Sequence, residues 1–142
     1  MQKLNQFYIK SLVKKALEED LKPRGDITTK LIKFKNKKVK AQIIAKQNGV
    51  ISGLDFCKTA FKLVGKETVF VSKVKDGSKV KKNKAIAEIK AKTKTILIAE
   101  RTALNFLNHS SGISTLTNLF VQRVNKKTKI CCTRKTTPNL RP

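Results

Sequence analysis

Ile130-Cys131-Cys132-Thr133-Arg134-Lys135-Thr136-Thr137-Pro138 joins an apolar, strand-forming triplet to a cationic, hydroxyl-rich turn. Strands of α/β folds present ligand-binding residues at their carboxyl ends, so a strand over 130–132 would deliver Thr133, Arg134 and Lys135 to a site. Arg supplies a planar fork that can hold a carboxylate through two parallel bonds. Lys supplies a compact point charge suited to phosphate. The two together fit two kinds of anion. A solvated basic loop is the competing explanation, because a chain of 142 residues with 33 Lys plus Arg makes any single cation a poor marker. What can decide is the order of this turn relative to other motifs.

Composition sets the outer bounds. A hydrophobic content of 39% with 30% charged residues describes a globular chain, and 142 residues suffice for one ordinary core. The formal charge of +24 would draw nucleic acid, anionic membrane or polyanionic substrates through its long-range field. Only Arg24, Arg101, Arg123, Arg134 and Arg141 are arginines, and the lysines are scattered rather than gathered in a basic stripe with interleaved aromatics. A basic nucleic-acid-binding module is therefore the alternative, resting on charge alone. Neither nucleic acid nor membrane is expected as a partner. Cys57, Cys131 and Cys132 form no CxxC pair and no zinc-spaced cluster with the single histidine, which fits a reduced, cytoplasmic setting.

Periodicity gives the elements. Tyr8, Ile9, Leu12, Val13, Ala16 and Leu17 recur at helical spacing, with Glu18-Glu19-Asp20 at the end that does not favour acids in a helix dipole. That acidic group is either held by another element or solvated, and solvation is the expectation. Pro23, Gly25 and Asp26 mark a specified turn, more suited to structure than to anion binding. Val39, Ala41, Ile43 and Ala45 alternate as a half-buried strand, and Phe56, Cys57, Ala60, Phe61 and Val64 return to helical spacing. Short strands follow at Val69-Phe70-Val71, Lys79-Val80 and residues 85–89, with Asp76-Gly77 as a turn. The Asp-Gly-Ser-Lys-Val phrase there also occurs in swinging-arm carrier domains, but the flanks of a modified lysine are missing.

Residues 95–107 form the longest periodic stretch and bring Arg101 onto or beside an apolar face. Such an arginine either snorkels to water or projects into a site or across an interface. His109 is taken as structural. Ser110-Ser111-Gly112 is expected to break the helix before residues 113–124 resume it.

Taken in order, Glu19-Asp20-Leu21, Arg24-Gly25-Asp26-Ile27-Thr28-Thr29, residues 99–107, Ser111-Gly112-Ile113-Ser114-Thr115 and Thr133-Arg134-Lys135-Thr136-Thr137-Pro138 closely resemble quinolinate phosphoribosyltransferase. The resemblance covers essentially the whole chain. It implies an α+β or α/β fold: an N-terminal α/β sandwich over residues 1–110, including the Arg101 helix, then the start of a catalytic α/β barrel over 111–142. The barrel would be truncated after its first strand, because the family continues with a glycine-rich segment, a His-Arg pair, a further Lys and acidic residues. The incomplete chain is expected to be inactive alone.

The reaction the resemblance implies is transfer of ribosyl phosphate from phosphoribosyl pyrophosphate to the nitrogen of quinolinate, with loss of pyrophosphate and carbon dioxide. By the same resemblance Arg134 holds a quinolinate carboxylate, Lys135 is catalytic and reaches the phosphoribosyl pyrophosphate side, and Thr133 completes the binding turn. Arg101 would enter the neighbouring subunit's site to bind quinolinate, which implies a homodimer or a higher homo-oligomer. Mg²⁺ would offset the pyrophosphate charge, with its ligands outside this chain. Asn139 stands where the family has Gly, a tolerable exchange in a left-handed turn.

Overall fold

A computed structural model describes residues 4–23, 25–124, 128–131, 133 and 135, without the side chain of Thr28. The helix α1 (Gln6–Leu21) starts where the Asn5 side chain accepts the Phe7 N–H at 2.8 Å, and it buries Ile9, Val13 and Leu17 on one face. A short helix, α2 (Ile27–Leu31), is capped by Asp26, whose Oδ1 accepts the Thr29 N–H at 3.1 Å. The turn before it therefore has the structural use expected from its sequence.

The strands make two small antiparallel sheets. The first has the order β1-β5-β3, from β1 (Lys38–Ile44), β5 (Ala85–Lys92) and β3 (Val69–Ser72); the second pairs β2 (Gly49–Val50) with β4 (Lys79–Val80). In the first sheet, Ala41 and Phe70 flank Ile89 from the two sides, and Ala87, Ile89 and Ala91 turn one face of β5 inward. The other face carries Lys38 opposite Lys92 and Lys40 opposite Lys90. Like charges directly across strands repel. Glu88 lies between Lys40 and Lys73 at 3.4 Å from each, and Glu67 reaches Lys38 at 3.3 Å, so acids placed on this face offset part of that repulsion.

Helices cover the inward face. The helix α3 (Leu54–Val64) buries Leu54, Cys57, Ala60 and Phe61, and α4 (Thr93–Arg123) buries Ala99, Thr102, Ala103 and Leu107. Phe56 of α3 stacks on Phe106 of α4 with centroids 5.0 Å apart, and Phe61 meets Phe70 of the sheet. Burying a side chain such as Phe61 contributes about 1.5–3 kcal/mol. A layer of helices on a layer of sheet around one core is the expected sandwich.

The expected helix break at Ser110-Ser111-Gly112 does not occur: α4 runs unbroken for 31 residues, about 46 Å at the standard rise. The small polar residues that suggested a break are instead a docking seam. Thr115 Oγ1 accepts the Val50 N–H at 2.9 Å. Ser111 Oγ accepts the Ser52 N–H at 3.0 Å and donates to the Ser52 carbonyl at 3.1 Å. These hydroxyls satisfy main-chain groups of the 50–52 segment, beside a strand whose ladder partner is β4 on its other side. A Cβ on Gly49 would lie 2.8 Å from Thr115 Oγ1, so only glycine allows this approach. The expected domain boundary at 110/111 falls inside α4. Beyond the seam, Ile113, Leu116 and Phe120 remain exposed on α4.

The start of α3 shows a second long-range contact. Gly53, in a left-handed conformation at φ +94°, precedes the helix and offers it no side-chain cap. The Asp76 carboxylate takes that role from the 76–77 turn, accepting the Gly53 N–H at 3.2 Å and the Leu54 N–H at 3.1 Å. The Asp-Gly phrase thus has a structural role in the described residues.

Ile130 and Cys131 belong to no strand ladder among the described residues. A strand is defined by its hydrogen-bonded neighbour, and none lies beside them there. Cys132, Arg134 and residues 136–142, including the Asn139 exchange, lie outside the described residues.

Three measurements check this packing. Thr115→Val keeps the shape but removes the acceptor for Val50, and is expected to lower stability in a urea titration by about 1–3 kcal/mol. Asp76→Ala should cost about 1–2 kcal/mol in the same titration, from loss of the α3 cap. The Cys57 thiol is fully buried, and burial pushes its pKa from 9.0 up to about 12. The unfolded chain therefore ionises first as pH rises. The stabilising contribution is complete below about pH 9 and is lost between about 9 and 12. A thiol reagent near pH 8 should label exposed Cys131 promptly and Cys57 only at the rate of unfolding.

Candidate active site

Arg101 leaves the third turn of α4 one position before Thr102 and two before Ala103, both buried. Its neighbours anchor the backbone while its own side chain is 71% exposed. The guanidinium is not simply snorkelling. Its NH1 donates to Asp20 Oδ1 at 2.9 Å, across from the last turn of α1, and the Asp20 side chain is only 21% exposed. The acidic group at the end of α1 was expected to be solvated; Asp20 is instead held by α4. The reason is tertiary: α1 packs against α4, which places an unfavourable helix-end acid beside a cation 81 residues away. Glu18 pairs with Lys22 at 3.4 Å on the exposed side of the same turn.

Asp26 lies in the field of the same arginine. Its carboxyl is held below the ordinary carboxylate value first by a hydrogen bond from the Thr29 side chain, then by the Thr29 N–H and by the charges of Arg101 and Lys94, against partial burial. Asp26 Oδ2 is buried with no hydrogen-bond partner among the described residues. The acid in direct contact with the guanidinium is Asp20, at the end of α1.

Between α1 and α4 an open depression of about 770 Å³ is lined by Ala16, Glu19, Asp20, Asn105, Phe106 and His109, among others. His109 is exposed at its rim. A second cavity, of about 590 Å³, lies under β1 and β2 against α4, walled by aliphatic side chains such as Ile43, Ile51, Ile86 and Leu104. It offers apolar space rather than an anion cradle.

The other expected site residues stand apart from this cluster. Thr133 and Lys135 are exposed and in no helix or strand, and neither shares a hydrogen bond or ion pair with Arg101. Arg134 lies outside the described residues. Among the described residues no three His, Cys, Asp or Glu side chains converge on a common point. The residue that sequence reasoning missed is Asp20. Its signal was its position, an acid at the end of a helix where the dipole disfavours it.

Known proteins resemble this chain along nearly all its length. A family model for the quinolinate phosphoribosyl transferase N-terminal domain matches residues 26–111. A probable nicotinate-nucleotide pyrophosphorylase [carboxylating] of Methanocaldococcus jannaschii is 41% identical over 139 residues, covering 95% of this chain and 47% of the relative. Its counterpart in Bacillus subtilis is 34% identical, covering 97% and 47%. The structure of the nicotinate-nucleotide pyrophosphorylase from Francisella tularensis superposes with a TM-score of 0.89 at 34% identity, covering 96% of this chain and 48% of that one. NadC from Streptococcus pyogenes gives 0.89 at 36% identity, over 96% and 50%. The chain spans about half the length of these relatives. With the family model matching well over half of its residues, and the seam, sheet order and Arg101 helix all within a fold shared at this similarity, the chain belongs to the quinolinate phosphoribosyltransferase family and carries its N-terminal domain.

Proposed function

We propose that this chain is part of a pentosyltransferase that joins quinolinate to phosphoribosyl pyrophosphate, giving nicotinate mononucleotide, pyrophosphate and carbon dioxide in NAD biosynthesis. The observation that supports it most is the family match over residues 26–111, a span that includes Arg101. Relatives carrying the name nicotinate-nucleotide pyrophosphorylase [carboxylating] extend the likeness beyond that span.

In this reaction the bond from the anomeric carbon to the pyrophosphate oxygen breaks, and a bond from that carbon to the ring nitrogen forms. A carboxylate then leaves as carbon dioxide, and its electron pair returns to the ring carbon, which takes a proton. Two polyanions must meet, so fixed cations have to offset their repulsion and orient the ring nitrogen towards the anomeric carbon. Arg134 holds a quinolinate carboxylate through its fork. Lys135, the catalytic cation, faces the phosphoribosyl pyrophosphate, with Thr133 completing the turn. Arg101 supplies a second fork from the neighbouring subunit, and its solvent-facing guanidinium on a rigid helix suits that role. The active unit is then a homodimer or a larger homo-oligomer. Magnesium, when bound, would offset the pyrophosphate charge. The working location is the cytoplasm; no helix among the described residues is long and apolar enough to cross a membrane.

The shared site has a direct test in the full-length protein. Arg101→Ala and Lys135→Ala should each lower nicotinate mononucleotide formation by at least about 100-fold. Mixing the two variants under conditions of subunit exchange should restore about a quarter of wild-type activity, because half of the dimers are mixed and each has one intact site. Failure to recover activity from verified mixed dimers would place Arg101 and Lys135 in the same subunit's site or outside it. The 142 residues alone are expected to show no turnover.

A further inference from the structure

We propose that Asp20 is a positioning residue for Arg101: it seats the guanidinium at the end of α1 so that the remaining donors are presented ready to take a substrate carboxylate. The inference rests on the reading of Arg101 given above.

The two side chains are unequal partners. Asp20 is 21% exposed on a helix whose Ile9, Val13 and Leu17 are core residues, whereas Arg101 is 71% exposed. The carboxylate is the fixed member and the guanidinium the member that faces solvent. A guanidinium has five N–H donors in a rigid plane. The Asp20 bond uses one, from NH1, and Nε and NH2 have no hydrogen-bond partner among the described residues. One edge of the fork thus stays available for two parallel bonds to a carboxylate.

An arginine on solvent-exposed helix has several rotatable bonds, and a ligand that binds it must order them. Holding the group beforehand moves that ordering cost from binding to folding. The alternative is that Asp20 competes with substrate for the guanidinium. A competitor would engage the fork at both donors, and here the contact is a single hydrogen bond.

Steady-state kinetics of the full-length protein, with each substrate varied in turn, separates these cases. Arg101→Ala should raise the KM for quinolinate steeply. Asp20→Asn should raise it by about 3- to 10-fold while the KM for phosphoribosyl pyrophosphate stays within about 2-fold, as expected for the loss of preorganisation of one side chain. Asp20→Glu should recover part of that loss, and the double variant should be no worse than Arg101→Ala, since both changes act through one group. Glu18→Gln, which removes a charge on the same helix turn without touching Arg101, should leave both KM values unchanged. The proposal is overturned if Asp20→Asn behaves as wild type, lowers the quinolinate KM, raises both KM values together, or adds its effect to that of Arg101→Ala. If Arg101→Ala itself leaves the quinolinate KM unchanged, the reading of Arg101 fails first and this inference with it; a normal Asp20→Asn beside an impaired Arg101→Ala removes only the role of Asp20.

Discussion

Two hydroxyls on α4 stand where a neighbouring strand would otherwise be needed. Thr115 and Ser111 accept the main-chain N–H groups of Val50 and Ser52, and Ser111 also donates to the Ser52 carbonyl. A partly buried main-chain donor without an acceptor costs about 1–3 kcal/mol, so this seam decides whether the segment before α3 can lie against the helix at all. Its geometry propagates in both directions. It leaves no room for a Cβ at Gly49; the left-handed Gly53 then turns the chain into α3, and α3 in turn meets the sheet through Phe61. The hydroxyls of the seam project from an α4 that is continuous past Gly112, and Arg101 lies on the same unbroken helix.

Elements with local causes were legible in the sequence. The alternation of Val39, Ala41 and Ile43, the helical spacing around Cys57 and Phe61, and the short strands at 69–71, 79–80 and 85–89 all appear where periodicity put them. Core Cys57 followed from its place on an apolar face. Ser110-Ser111-Gly112 misled because its composition is that of a turn, and its actual partners are about 60 residues away. A shorter separation, 22 residues, still hid the Asp76 cap of α3, although the turn containing Asp76 was clear.

The candidate site divides along the same line. Arg101 drew notice because a guanidinium next to an apolar stripe needs an explanation, and that argument uses only helical spacing. Its partner could not be found that way, because pairing depends on how α1 crosses α4. Thr133 and Lys135 were marked as a motif in sequence order, and order alone supplies no geometry. They are exposed and share no hydrogen bond or ion pair with Arg101.

Charge balance gives the Arg101–Asp20 pair more weight than its exposed half would suggest. Surface ion pairs usually contribute about 0–1 kcal/mol, and with 33 Lys plus Arg against 9 acids a lone cation is cheap here and an acid is scarce. The acids with described partners mostly serve main-chain caps or relieve lysine crowding: Asp26 and Asp76 cap helices, while Glu67 and Glu88 answer the facing lysines of the sheet. Asp20 does neither. It lies at a helix end where its own dipole disfavours it, and its observed partner is an arginine rather than one of the many lysines. A lysine would satisfy the charge equally well but could not offer a free planar edge after making the bond. The pairing therefore makes physical sense when the arginine's orientation matters, which is a property of binding and not of folding.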